Sequence, residues 1–342
     1  MYEDIGGGRV EITDRLTESE VLELIQLETL HTIQFSDVVS QETFMLLEAH
    51  LFSKRDDIVL RAHSFDFARC DLSNLAYVPS VRRLYVDVDR RITNLNVIHQ
   101  LRSLTELVLH VYRLESLDIL DGVIEHLIDL SIGATKSTKP DLSVISRFSR
   151  LKRLRIEGHT KGIDVLRRLP QLEELTLRSV RLHNFSCLGG LEKLRTLNIL
   201  LGGTRDLKAL SALKALQHLG LRHIRGLEDL SVISELLELR TLHLQSLRRV
   251  QQLPDVSKLY HLKRIEIEHL QGLIDLSSLG EAPSLRQFSH FSAKHMQFKD
   301  YVPLLENPIV EEVVVDFGSV RRNDEFTEMM NQYGKVEISD WD

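Results

Sequence analysis

The chain has 342 residues, of which 43% are apolar but only 6% aromatic, and a formal net charge of −7. That apolar share excludes a disordered chain, and the negative balance argues against a nucleic-acid binder or a polybasic membrane-surface protein. No run of 18 uncharged apolar residues is present, so no membrane-spanning helix is expected.

From the start of the chain, Met1-Tyr2-Glu3-Asp4 shows neither a basic n-region nor a following apolar stretch, so no secretory signal is expected. Cys70 and Cys187 read as two buried thiols in a reducing compartment, and the expected location is the cytoplasm. Gly6-Gly7-Gly8 reads as a flexible lead-in and not as a phosphate loop, because no Lys-Ser/Thr follows it. Thr17-Glu18-Ser19-Glu20 has the capping-box pattern and predicts a helix to about Leu27. Leu30, Ile33 and Phe35 suggest an irregular first strand, Gln41 to about Phe52 a second helix, and Ile58 to Ala62 a weak strand.

A repeat then takes over. The pattern L-x-x-L-x-L, with any aliphatic residue at L, begins at Val81, Leu104, Leu127, Leu151, Leu172, Leu194, Leu216, Leu239 and Leu262. A degenerate copy is Leu285, Phe288 and His290, and a last one is Val310, Val313 and Val315. Starts are 21 to 25 residues apart. Before each copy, aliphatic residues recur every third position, as in Leu207, Leu210, Leu213 and Leu216, or Leu72, Leu75, Val78 and Val81. L-x-x-L-x-L is a short strand with alternate residues pointing inward, and a spacing of three suits a 3₁₀ or short helical return. Asp71, Asp141, Asp229 and Asp275 each precede Leu-Ser, where a carboxylate can accept backbone N–H bonds and cap the return.

On these residues the chain resembles the leucine-rich-repeat family, specifically its short bacterial-type and phosphatase-regulator-like units of about 22 residues, over roughly residues 55–318. The resemblance implies an α/β solenoid with a curved, parallel, concave sheet, short helical or 3₁₀ convex segments, and helical caps at both ends. The expected division is an N-terminal cap region with an irregular first repeat (1–54), the array (55–318) and a C-terminal cap (319–342). In that cap a helix is expected from Glu325 to Tyr333, stopped by Gly334, with a final strand over Val336 to Ile338. The family usually places Asn three residues after the last strand aliphatic. Here those positions hold Tyr112, His159, Val180, Ile224, Leu247 and Leu270, so apolar packing is expected to replace the polar ladder, and turn geometry and curvature stay open.

No G-x-G-x-x-G, Walker loop, H-E-x-x-H, G-x-S-x-G or C-x-x-C motif is present, so neither an enzyme nor a cofactor is expected. Gly202-Gly203 reads as a turn. His218, His223, His243 and His269 lie on or beside neighbouring strands, but solvated or partner-contacting histidines are the better reading than a metal site. In L1-x-x-L4-x5-L6-x7, positions three, five and seven face the concave side. The middle of that face is expected to be basic, through Arg153, Arg155, Arg178 and Arg222, with Glu157, Asn198, His218 and His243 beside them and Leu200 and Leu201 as a small apolar island. Arginine around an apolar island is the composition of a protein-binding surface. The expected function is therefore a non-enzymatic module, monomeric when free, that binds an acidic protein face. A bacterial toxin-neutralising immunity protein is one version, and a regulatory subunit or adaptor of an enzyme complex is the alternative. Nucleic acid is the weakest reading, since aromatic platforms for single strands are missing among those arginines.

Overall fold

The computed structural model describes residues 1–64, 70–89, 92–123, 125–137 and 140–339. It divides into two compact units, Met1–Leu169 and Pro170–Asp342.

The first unit opens with a hairpin: β1 (Tyr2–Gly6) pairs antiparallel with β2 (Arg9–Ile12). The glycine triplet is its turn and not a loose lead-in. Gly6, Gly7 and Gly8 hold φ of 81°, 60° and 71°, a left-handed backbone that glycine enters without steric cost. Helix α1 (Glu18–Gln26) starts at the capping box read from the sequence: the Glu20 amide donates to Thr17 Oγ1 and the Thr17 amide to Glu20 Oε2. Strand β3 (Thr32–Phe35) is regular where an irregular one was expected, pairing parallel with β2. The second expected helix is α2 (Gln41–Leu47), continued by one wide π turn over Glu48–Phe52.

The parallel stack continues through β4 (Val59–Ser64), then, past the short β5 (Cys70–Asp71), through β6 (Arg83–Val88). Beyond β7 (Ile92–Thr93), which pairs with β5, come β8 (Glu106–Val111), β9 (Asp129–Ile132) and β10 (Arg153–Glu157), all in register. The second unit repeats the scheme with β11 (Glu174–Arg178), β12 (Thr196–Leu200), β13 (His218–Arg222), β14 (Thr241–Gln245), β15 (Arg264–Glu268) and β16 (Gln287–Phe291). After helix α3 (Val302–Glu306) comes β17 (Glu312–Val315), parallel to β16. Helix α4 (Val320–Gln332) begins five residues before the expected Glu325 and ends at Gly334, whose φ is 71°. The expected final strand reduces to one bridge, Val336 beside Glu312.

Positions four and six of every strand repeat point into a core shared with the return segments; Leu197, Leu219, Leu242 and Ile265 are each at most 2% exposed. The returns explain the spacing of three. The Leu210 amide donates to the Leu207 carbonyl, Leu213 to Leu210 and Leu216 to Leu213, so each buried leucine is bonded through its backbone to the one before. All four Asp caps form: Asp71, Asp141, Asp229 and Asp275 accept the amides of Ser73, Ser143, Ser231 and Ser277 at 2.8–3.0 Å. Asp206, Asp255 and Asn184 do the same in repeats where the Leu-Ser signal was absent or altered.

The missing asparagine ladder has a specific replacement. At position eight of six successive second-unit repeats the backbone turns left-handed: Ser179, Leu201, His223, Ser246, His269 and Ser292 have φ of 52–60°. From Ser179 to His269, each of these amides donates to the position-seven carbonyl of the next strand, at 2.8–3.1 Å. The turn carries position nine back inside, where Val180, Ile224, Leu247 and Leu270 are at most 3% exposed. His159, at the same place after β10, is also buried, and its Nε2 pairs with the Gly133 carbonyl at 3.1 Å. Tyr112 departs from the expectation: β8 runs one residue further, Val111 takes the inward place, and Tyr112 is 45% exposed. Both cysteines are buried and form no disulfide, and desolvation pushes the Cys70 thiol up to about 11.

Candidate interaction surface

On the open face of the first unit, most side chains are tied to one another. Glu11 on β2 accepts from Gln34 on β3 (2.6 Å) and Ser36 (3.1 Å), and lies 2.9 Å from Nε2 of His63 on β4. Burial pushes the Glu11 carboxyl up, but the bonds from His63, Gln34 and Ser36 outweigh it and hold the group below its ordinary value. Arg61 donates to Gln34 (3.2 Å) and to Asp87 on β6 (2.6 Å). Tyr85 donates to Glu106, and burial first, then this bond, raise its phenol. Arg153, one of the expected contact residues, donates through Nε to Asp129 at 2.6 Å. Arg155 is exposed and, among the described residues, forms no hydrogen bond or ion pair. Glu157 is half-buried at the end of β10.

In the second unit, the expected residues fall on consecutive rungs. Arg178, Leu200 and Arg222 occupy position seven of β11, β12 and β13, paired in that order, and all three are half-buried. Asn198 stands beside Gly220 at position five; a Cβ on Gly220 would lie 2.4 Å from Asn198 Oδ1, so that glycine makes room for the amide. His218 Nδ1 lies 2.7 Å from Thr241 Oγ1, and burial followed by the charge of Arg240 lowers its pKa, keeping the ring neutral at pH 7. His243 Nδ1 is 3.1 Å from Glu266 Oε2 and 3.4 Å from Arg222 Nη2. The bond from His243, reinforced by Arg264, holds the Glu266 carboxyl below its ordinary value against its burial.

These side chains line a cleft of about 200 Å³ that includes Asn198, His218, Arg222, His243 and Glu266. Arg222 Nε is buried there without an acceptor among the described residues. The four histidines separate: His218 and His243 face the cleft, whereas His223 and His269 sit in the left-handed turns at the sheet's edge. Among the described residues no group of three His, Cys, Asp or Glu side chains is placed to hold a metal ion. Leu201, expected beside Leu200, also belongs to that edge and is 43% exposed. The sequence reading overlooked the first-unit network, because Glu11 lies in a strand that carries no repeat signal. It also overlooked the arginines of the second-unit edge, which repeat with the same period as the leucines.

Stacked parallel rungs with inward aliphatics, 3₁₀ returns and helical caps make this a leucine-rich-repeat solenoid. Solved structures of that architecture resemble it. An internalin of Listeria monocytogenes has a TM-score of 0.57 at 17% identity, over 88% of this chain and 89% of its own. A leucine-rich-repeat protein of Leptospira interrogans has a TM-score of 0.55 at 15% identity, over 95% and 93%. No protein-family model and no curated protein matches the sequence. Among the described residues no helix is long and apolar enough to cross a membrane.

Proposed function

We propose that the protein is a non-enzymatic binding module that captures a protein partner on the concave face. On this reading the contact residues of the second unit are Arg178, Asn198, Leu200, His218, Arg222 and His243, and those on the first unit's own strand face are Arg153, Arg155 and Glu157. One observation carries the reading: Arg222 holds a buried N–H donor without an acceptor, in a cleft that opens on the strand face. A buried unpaired donor carries a penalty that an incoming carboxylate or carbonyl relieves. Two further features agree with it. Arg155 is an exposed cation with no intramolecular anion among the described residues, and half-buried Leu200 gives a small apolar centre between Arg178 and Arg222.

The partner on this reading presents an acidic face, and the free protein is a soluble cytoplasmic monomer. Residues 1–54 and 319–342 serve as caps of the array over 55–318. Neutralising a bacterial toxin is one use of such a surface; regulating or adapting an enzyme complex is another. Charge reversal of Arg155 and Arg178 together should abolish capture of the partner from host lysate, scored by mass spectrometry, while the melting temperature stays within a few degrees. A single protein retained by the wild type and lost by the double variant supports the reading. The same proteins retained by both would remove the concave face from it.

A further inference from the structure

The left-handed column in the second unit has a consequence on the outer side of the edge. Position nine turns inward, so position ten turns out again, and in successive repeats it holds Arg181, Gly203, Arg225 and Arg248. Backbone bridges join Arg181 to Gly203 and Gly203 to Arg225 in parallel register. Adjacent rungs lie about 4.8 Å apart, so two rungs separate the Arg181 and Arg225 stems by about 10 Å, with no side chain between them.

The three arginines and Leu201 line a groove of about 720 Å³. All three are exposed, and among the described residues none of them is in an ion pair. Neighbouring Arg249 differs, because Glu228 holds it at 2.7 Å. The groove gains depth at Gly202, a glycine where the flanking repeats place Val180 and Ile224. Three exposed guanidiniums on stems one or two rungs apart, without an ion-pair partner among the described residues, thus concentrate positive charge on one edge of a chain whose net charge is −7.

We propose that this edge groove binds an acidic polypeptide segment, laid across the rungs with carboxylates on Arg181, Arg225 and Arg248. Nucleic acid is disfavoured: among the described residues no Phe, Tyr or Trp lines the groove to stack a base, and its rim carries exposed Leu201. The inference goes beyond the concave-face reading, since it uses a different surface and none of the same residues.

The test is fluorescence anisotropy with labelled deca-glutamate and the full chain. The wild type should bind, and Arg181→Glu/Arg225→Glu/Arg248→Glu should weaken binding at least about tenfold. Gly203→Asp is the second variant. Its φ is not left-handed, and a Cβ there would meet only Arg181 Cγ, at an ordinary 3.7 Å, so the variant should fold. Its carboxylate should occupy the gap between the two arginines and weaken the peptide about tenfold as well. Arg155→Glu/Arg178→Glu should leave this affinity unchanged within about twofold, which separates failure of this inference from failure of the concave-face reading. No binding by the wild type, or binding by Gly203→Asp or by the triple variant as tight as the wild type's, would overturn the proposal. Tighter binding of a ten-nucleotide single strand than of deca-glutamate, lost in the same variants, would overturn it in favour of nucleic acid.

Discussion

The two units leave their strands differently. In β4, β6 and β8 of the first unit the strand runs six residues, and position eight stays extended and points inward; Val88 and Val111 are at most 2% exposed. In β11 to β15 of the second unit the strand stops after five, position eight turns left-handed and outward, and position nine returns to the core side, where Val180, Ile224, Leu247 and Leu270 fill it and Gly202 does not. Apart from Ser64 at the end of β4 and Gly202 after β12, both solutions bury one apolar side chain beyond the sixth position. They differ by one residue in where it comes from, and that residue decides which side chains line the edge. β10 at the end of the first unit already leaves its strand in the second way, with Gly158 left-handed at position eight and His159 buried at position nine, but the run of successive outward positions ten, with the unpaired arginines Arg181, Arg225 and Arg248, belongs to the second unit.

The largest expected effects test what the units share. Leu107→Ala in the first and Leu219→Ala in the second should each cost about 2–5 kcal/mol, since both residues are at most 2% exposed in the stacked core. Chemical denaturation measures this, and a small loss at either site would break the common register. The next pair isolates the difference. Val88→Gly should destabilise by about 3 kcal/mol, through the cavity and the loosened strand. Leu201→Gly, at the same repeat position, should stabilise by about 0.5–1 kcal/mol, because a left-handed leucine costs about 1–2 kcal/mol and glycine's own flexibility takes back part of that. If both glycines destabilise alike, the left-handed turn is not what distinguishes the second unit.

Much of the array was legible because its signals are local and repeated. Aliphatic residues at positions one, four and six fix the register of every strand from β6 to β15 except the two-residue β7, and the Asp-Leu-Ser tripeptide marks four return caps. The capping box placed α1 within a residue. The hairpin β1–β2 was not legible. Three glycines look the same in a loose tail as in a turn, and what orders them is pairing with β3, about twenty residues onward. The left-handed column was equally hidden: Ser179, Leu201 and His223 have no residue type in common that announces positive φ, and tertiary hydrogen bonds impose it. For the interaction surface, strand alternation correctly put Arg155, Arg178, Asn198 and His218 outside the core. Alternation gives no partners, so it did not distinguish Arg153, bonded to Asp129, from Arg155.

His290 shows what happens when a polar ring takes a core position. It stands at position six of β16, 0% exposed, among Phe288, Tyr301 and His295. Its Nδ1 pairs with the Tyr301 hydroxyl at 2.8 Å, and Nε2 has no partner among the described residues. Burial, then the nearby His295, pushes its pKa down to about 3. In the unfolded chain the ring titrates near 6.5. Below that pH the unfolded chain takes up a proton that the folded one refuses, so stability falls by up to about 1.4 kcal/mol per pH unit on the way toward 3. Thermal melts between pH 7 and 5 should show this slope, and His290→Leu should flatten it; an unchanged slope would assign the acid sensitivity to other histidines. Burial also lowers the pKa of His110, His159 and His218, but among the described histidines the large shift is at His290, so acidification should loosen the chain first at β16 while its purely aliphatic repeats still hold.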